Sequence, residues 1–189
     1  MQQLPTSGVK QVHLRPLELA DELVIEIAQA ELLSDNFPFV FRSLDEPWAD
    51  FVARQERERH GIGLAEGRVA ATFLVAVVDR EIVGRASIRH ELNDFLLNFG
   101  GHIGYAVRPA FRRLGYASSI LRQSIALAGE LGLSKVLLTC DDHNLGSARV
   151  IESAGGVLED VRLGSDGIKK RRYWIRLAPK EVTGATDGR

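Results

Sequence analysis

The chain has 189 residues, 45% of them hydrophobic, so it is long enough to bury a full core in one domain and short for two. Its formal net charge of −1 argues against a surface built for nucleic acid, and no apolar run has the length of a membrane span. The single cysteine, Cys140, has no partner for an internal disulfide, and the amino terminus lacks the layout of a signal peptide. We expect a cytoplasmic protein with no membrane or nucleic-acid partner.

The first third of the chain predicts one strand followed by two helices. Residues 9–14 predict the strand, and the helix after it begins at Arg15–Pro16 and ends at 35–38. Apolar residues recur along this helix at helical spacing and predict its buried stripe: Leu19, Leu23, Ile27 and Ala30. The second helix begins near Asp45 and dissolves into the charged run 54–60. Three of its residues are expected to face inward: Trp48, Phe51 and Val52.

A hairpin and an apolar loop follow. The almost continuous apolar run 69–78 predicts a central strand covered on both faces, and Asp79–Arg80 turn the chain back. Along the return strand, 82–90, apolar and polar residues alternate, so we expect only one deeply buried face. Residues 93–101 predict a loop rich in leucine and phenylalanine, and such a loop either covers a cleft or meets another subunit.

The centre of the chain has the order strand, glycine-bearing loop, helix. The run 102–107 predicts a strand that Arg108–Pro109 end, and apolar residues at helical spacing begin at Ala117. The first turn of a helix leaves backbone N–H groups without partners and attracts anions, so the loop 112–117 predicts a phosphate site. Three residues of the loop add positive charge or allow close backbone approach: Arg112, Arg113 and Gly115.

The remaining segment predicts a strand, a helix and a final hairpin. The strand covers 135–140, and Asn144 is placed to cap a helix over 145–154. Two strands close the chain and are joined by a Gly-Ser-Asp-Gly turn: 157–163 and 168–177. The basic cluster 169–172 predicts a solvated sheet edge rather than a nucleic-acid site. We expect flexible ends on either side of a single domain: 1–8, 9–178 and 179–189.

The central loop resembles the Arg/Gln-x-x-Gly-x-Gly/Ala signature of the GNAT superfamily of N-acetyltransferases. Three residues occupy its fixed positions: Arg112, Gly115 and Ala117. The strand ending in 107–109, and Asn144 before a short helix that stops at Gly155–Gly156, also resemble that family. Composition alone predicts α/β or α+β. The resemblance covers residues 9–177 and implies a GNAT fold, a mixed and mostly antiparallel central sheet of about seven strands with helices on both faces.

The resemblance implies a site for acetyl-CoA as co-substrate and no metal. Main-chain groups of Tyr105 and Val107 would pair with the pantetheine arm. The residues that would hold the pyrophosphate lie in the loop: Arg112, Arg113, Gly115, Tyr116 and Ala117. Asn144 would contact the cofactor where two strands separate, a role compatible with helix capping, and Ser147 reaches the same region. Four aromatic residues would line the acceptor cleft unless they are core residues, the commoner fate of such side chains: Phe37, Phe39, Phe41 and Trp48.

Direct acetyl transfer needs a base that accepts the amine proton and an acid that protonates the leaving thiolate. Many family members place the acid, a tyrosine, seven residues after the asparagine, where this chain has Ile151. Three candidates for the missing roles lie on or beside the central strands: Tyr105, His102 and Glu91. His90 is a further base candidate. Asp141 and Asp142 would attract a cationic amine, whereas Cys140 is interpreted as an inert buried residue rather than a nucleophile.

The primary hypothesis is an N-acetyltransferase that moves acetyl from acetyl-CoA directly to a primary amine of a small molecule, a peptide or a protein. The alternative is a catalytically silent acyl-CoA-binding module that senses the cofactor or regulates a partner, and Ile151 motivates it. Amine-dependent release of free thiol distinguishes the two. A homodimer is left open, since the apolar loop 95–99 and the final strands offer surfaces for one.

Overall fold

A computed structural model describes residues 10–35 and 37–178. Its strands and helices follow the predicted order: β1 His13–Arg15, α1 Glu22–Leu33, α2 Trp48–Arg59, β2 Ala71–Val78, β3 Glu81–Arg89, β4 Ile103–Val107, α3 Tyr116–Glu130, β5 Lys135–Asp141, α4 Leu145–Ser153, β6 Val157–Leu163 and β7 Lys169–Arg176. Short helical turns lie between them: Leu19–Asp21, Leu96–Gly100 and Pro109–Phe111. The predicted flexible ends lie outside the described residues.

The seven strands form two antiparallel sheets, in the orders β1-β2-β3-β4 and β5-β7-β6. The sheets meet just before β4. There the His102 N–H donates to the Leu137 carbonyl at 2.7 Å, and the Leu137 N–H donates to His102 Nδ1 at 2.9 Å. Within the described ranges no ladder of hydrogen bonds joins β4 to β5, so β4 presents an edge to the gap between the sheets. The predicted sheet of about seven strands is confirmed, and its division at β4 is the feature that positions the site.

Helices cover both faces, as predicted. On one face, α3 and α4 pack on a core that spans both sheets: Ile88, Ile103, Leu121, Val136, Leu138, Ile151 and Tyr173. On the other face, α1 and α2 pack on the first sheet: Ile25, Leu32, Phe39, Trp48, Phe51, Val75 and Ile82. No helix in the described ranges combines the length and apolar character needed to cross a membrane.

The buried stripe predicted for α1 is wrong. Leu23 is 68% exposed, and the residues that face the core are Ile25, Ala28 and Leu32. The helix carries two apolar stripes, so spacing alone does not choose between them. A partly buried polar contact accompanies the observed rotation: Arg15 donates two hydrogen bonds, each 2.7 Å long, to the carboxylate of Asp21, which lies just before the helix. The second helix also differs, since α2 continues through the charged run to Arg59.

β3 is buried on both faces, whereas its alternating pattern predicted one. Arg85 lies on the face that was expected to be more open and is 3% exposed. The connection between α1 and α2 covers it: the Phe37 ring lies 5.0 Å from its guanidinium, and Phe73 of β2 lies 5.9 Å away. A long connection folding over a strand leaves no periodic signal in that strand, which is why the pattern misled.

The basic cluster 169–172 lies in β7, which is the central strand of its sheet and not a solvated edge. Arg172 is 2% exposed. Its Nη1 donates to both carboxylate oxygens of Asp160 at 2.8 Å, and Glu159 lies at the same distance. The last hairpin places β6 on the outside, so the edge prediction is wrong.

The segment predicted as an apolar loop, 93–101, contains a π-helical turn over Leu96–Gly100. The turn is attached to the second sheet, because Thr139 Oγ1 donates to the Phe99 carbonyl at 2.7 Å and Arg172 Nε donates to the Leu97 carbonyl at 3.1 Å. It therefore covers part of that sheet on the face away from α4.

Candidate active site

The start of α3 is the candidate anion site, because its first backbone N–H groups are uncapped. Gly115 precedes the helix with a φ of +82°, a left-handed conformation that favours glycine, and no side chain caps the helix. Within the described residues, no hydrogen bond is donated by the backbone N–H groups of residues 113–118. Unpaired N–H groups at the positive end of a helix dipole attract phosphate oxygens. The loop predicted to bind phosphate therefore has the geometry that this function requires.

The side chains of this loop are not all directed at that site. Arg112 Nη2 pairs with Asp35 Oδ2 at 2.5 Å, and its Nε donates to the Val107 carbonyl at 3.2 Å. Arg113 is exposed. Tyr116 is buried in a core cluster with Ile120, so it can serve the loop through its main chain. In the loop 112–117, the backbone N–H groups are thus better placed than the side chains to bind a phosphate.

Tyr105 and Ser147 are brought together at the gap between the sheets. Tyr105 lies on β4 and Ser147 in the first turn of α4, and their hydroxyl oxygens are 2.9 Å apart. Asn144 Oδ1 accepts the Ser147 N–H at 3.0 Å and caps α4, the compatible role expected for it. Ile151, one turn further along, is fully buried in the core. A hydroxyl from β4 therefore reaches α4 although α4 lacks the usual tyrosine.

Burial controls the protonation of this cluster. It raises the pKa of Tyr105 to about 12, with the Ser147 hydrogen bond opposing the shift. It also raises the pKa of the Cys140 thiol to about 11. A phenol with that pKa remains a proton donor at neutral pH, and a thiol with that pKa is a poor nucleophile. The Tyr105 phenol and the Cys140 thiol are therefore both protonated at neutral pH.

His102 has a structural hydrogen bond where a base would need a free nitrogen. Its Nδ1 accepts the Leu137 N–H, and its ring meets Trp174 edge-on at 6.2 Å. Burial, followed by the charges of Arg89 and Lys135, lowers the pKa of His102 to about 4. The ring is therefore neutral and holds the two sheets together at the closed end of the gap.

The other acid–base candidates lie at the end of β3. Glu91 is exposed. His90 Nε2 lies 2.9 Å from Thr72 Oγ1, and burial lowers the pKa of its ring. Neither makes a hydrogen bond to Tyr105 or Ser147 in the described residues. The catalytic roles of His102 and Glu91 stay predictions.

The predicted acidic mouth is neutralised by β7. Asp141 pairs with Lys170, and Asp142 accepts a hydrogen bond from Arg171 Nε at 2.7 Å. Ion-paired carboxylates attract a cationic amine less strongly than free ones do. In the described ranges, no group of three or more His, Cys, Asp and Glu side chains is arranged to hold a metal ion.

The four early aromatic residues divide into two pairs. Phe39 and Trp48 are buried in the core, the commoner fate expected for them. Phe37 and Phe41 are exposed on the α1–α2 connection and lie over arginine side chains. One of these arginines, Arg85, was missed by the sequence reasoning. Its signal was a charged residue between the buried positions of β3, which was interpreted as a solvent-facing one.

The fold is thus a mixed α and β protein in which an antiparallel sheet divides at β4 and the uncapped start of α3 lies beside the gap. The chain belongs to the GNAT acetyltransferase family, which consists of acyltransferases: the model of the acetyltransferase (GNAT) domain matches residues 11–157. A search of curated protein sequences found no match.

Solved structures show the same fold at low identity. The yncA protein of Salmonella typhimurium, solved with its cofactor acetyl-CoA, is 17% identical with a TM-score of 0.61, and the match covers 92% of this chain and 98% of that one. RimJ of Mycobacterium smegmatis, in complex with CoA-disulfide, is 18% identical with a TM-score of 0.67, covering 89% and 83%. A chimera of the spermidine N-acetyltransferase SpeG from Vibrio cholerae and hSSAT is 17% identical with a TM-score of 0.62, covering 88% and 95%.

Proposed function

We propose that this chain transfers the acetyl group of acetyl-CoA directly to a primary amine. The observation that carries the proposal is the uncapped start of α3, where the N–H groups of residues 113–118 have no partner in the described residues, next to the free edge of β4. These two features match the two ends of the cofactor. The pyrophosphate would lie on the helix start and the pantetheine amides would pair with the main chain of Tyr105 and Val107.

Arg112 has to move when the cofactor binds. Its Nε occupies the Val107 carbonyl that the pantetheine arm would use, and its Nη2 is held by Asp35. The pair is about half exposed, so breaking it costs little in water. Once released, Arg112 is free to contact the pyrophosphate as the family signature implies.

Tyr105 takes the role of the acid that Ile151 leaves vacant. The Tyr105 hydroxyl lies beside Ser147, which is in the first turn of α4. Family members commonly carry the acid further along the same helix, at the position of Ile151. The leaving thiolate of coenzyme A has to take up a proton. A phenol that stays protonated at neutral pH is then an appropriate donor. Water or an exposed group such as Glu91 would accept the amine proton.

Calorimetric titration with acetyl-CoA tests the cofactor site, with ATP and NAD as controls. Gly115→Glu places a strained and negatively charged side chain at the proposed phosphate site, and we expect it to abolish binding. Gly132→Glu is the matched control, because Gly132 also has a positive φ but lies at the other end of α3 with open space around it. Absence of selective binding in the wild type, or binding that survives Gly115→Glu, would contradict the proposal.

Amine-dependent release of free thiol then separates the enzyme from the acyl-CoA sensor. The assay uses a broad panel of acceptors at saturating acetyl-CoA. Turnover on any primary amine supports the transferase. Saturable cofactor binding without turnover on every acceptor would support the sensor.

A further inference from the structure

Two arginines of β3 converge on one glycine of β4. Arg85 and Arg89 lie on the same face of β3, with Ser87 between them directly opposite Gly104. A single carbon added at Gly104 would lie 3.0 Å from Arg89 Nη1 and 3.8 Å from Arg85 Nη1. Both guanidinium groups therefore lie over the residue that precedes Tyr105.

Arg85 is buried and Arg89 is partly buried, and their guanidinium groups lack the partners that a buried charge requires. Arg85 Nε and Arg89 Nη1 have no hydrogen-bond partner in the described residues, and Arg85 makes one long hydrogen bond, from Nη2 to the Pro38 carbonyl at 3.3 Å. No carboxylate of residues 10–35 or 37–178 lies within salt-bridge distance of either side chain. Leaving a buried charge uncompensated is strongly unfavourable.

Two other buried arginines, Arg108 and Arg172, are each paired with a carboxylate. Arg108 is buried and donates to both carboxylate oxygens of Glu31, at 2.8 and 2.9 Å. Arg172 is buried and donates to both carboxylate oxygens of Asp160. Around Arg85, by contrast, the neighbours are aromatic rings and further positive charge. Burial, followed by the charge of Arg89, lowers the pKa of Arg85 to about 9, so Arg85 still carries its charge at neutral pH and has no counterion among the described residues.

The position of the pair points to the acceptor. The guanidinium groups lie on the face of the first sheet that carries α1 and α2, whereas Tyr105 reaches the opposite face toward α4. The cofactor phosphates belong to the start of α3. An anion bound over Gly104 would therefore belong to the second substrate and would lie close to the edge of β4 along which the thioester would lie.

We propose that the acceptor is a small amine that carries an oxyanion, a carboxylate or a phosphate, bound between Arg85 and Arg89. This inference rests on the proposed acetyl transfer. The guanidinium groups form charge-assisted hydrogen bonds to the oxyanion and so supply the missing counterion. Phe37, which stacks over Arg85 and is 38% exposed, turns away to admit it. With the anion held over Gly104, the amine of a short molecule is directed at the edge of β4.

Matched acceptors test the proposal. Alanine is compared with alaninamide and phosphoethanolamine with ethanolamine, so that each pair differs in the oxyanion, and spermidine is the cationic acceptor. We expect kcat/KM to be about 10- to 100-fold higher for the oxyanion member of a pair, the range typical of charged hydrogen bonds. The preferred pair shows whether the oxyanion is a carboxylate or a phosphate.

Arginine variants localise the effect. Arg85→Met and Arg89→Met should remove the oxyanion preference while the affinity for acetyl-CoA is unchanged. Arg57→Met, an exposed arginine of α2, is the matched control and should keep the preference. Arg85→Met should not lower the melting temperature, because it removes an unpaired buried charge. Arg89, which is less buried, provides the second variant if Arg85→Met does not fold.

The outcomes separate the two proposals. Failure of the wild type to bind acetyl-CoA contradicts the acetyl transfer itself. If acetyl-CoA binds, equal or better turnover of the neutral amines or spermidine overturns the oxyanion site, and so does a preference that survives both methionine variants. The oxyanion site is also overturned if acetyl-CoA binds but no oxyanion amine is turned over and calorimetry detects no binding of one.

Discussion

Replacement of His102 by asparagine distinguishes a structural histidine from a catalytic one. His102 is 6% exposed, and its Nδ1 accepts the Leu137 N–H at 2.9 Å. Protonation of Nδ1 would break this bond and add a cation near Arg89 and Lys135, whose charges already oppose it. The Oδ1 of asparagine can accept the same N–H but does not titrate.

The expected effect on stability follows from the pKa of His102, about 4 in the folded chain against the ordinary 6.5. Because the folded value is the lower one, neutral His102 contributes stability that is fully present above pH 6.5 and is lost as the pH falls toward 4. Each pKa unit corresponds to about 1.4 kcal/mol. The loss by pH 4 is therefore at most about 3 kcal/mol.

Urea denaturation of the wild type and His102→Asn between pH 4 and 7.5 measures this contribution. The free energy of unfolding of the wild type should fall more steeply with acid than that of the variant, and the widening difference isolates His102 from the carboxylates. Parallel curves would refute the structural role. At pH 7.5 we expect kcat of the variant to stay within a few-fold of wild type, whereas loss of a general base costs about 100-fold or more.

Three further changes test the site and its support. Tyr105→Phe should lower kcat about 100-fold or more with the calorimetric affinity for acetyl-CoA unchanged, and unaltered kcat would exclude Tyr105 as the acid. Glu31→Gln should lower the free energy of unfolding at pH 7 by about 2 kcal/mol, because Arg108 loses its carboxylate. Arg108 holds the pKa of Glu31 below its usual range, so this contribution is present above pH 4.5 and is lost in acid. Urea denaturation at pH 7 and pH 3 should therefore show a difference between the variant and the wild type only at the higher pH. Gly84→Ala should destabilise the chain in thermal denaturation, because the new carbon would lie 2.3 Å from the Ala106 carbonyl oxygen, and an unchanged melting temperature would contradict that clash.

The parts of the fold that depend on neighbouring residues were predictable from the sequence. The order of strands and helices, the glycine that begins α3 and the asparagine that caps α4 each depend on a few adjacent positions. The rotation of α1 was not predictable, because two apolar stripes compete and the contact between Arg15 and Asp21 accompanies the one that is buried. The central position of β7 was also missed, since strand order is set by pairing between distant segments.

The same distinction applies to the site. Counting seven residues from Asn144 showed that Ile151 replaces the usual acid, because that motif lies within one short segment of the chain. The contact between Tyr105 and Ser147 joins residues 42 positions apart on two elements, so the sequence named both side chains without placing them together. Arg85 and Arg89 were missed for a further reason. Charged residues at alternate positions of a strand predict a solvent-exposed face, but the α1–α2 connection folds over β3 and covers that face. Unpaired buried charge is thus a signal that exists only in three dimensions, and here it lies one residue from Tyr105.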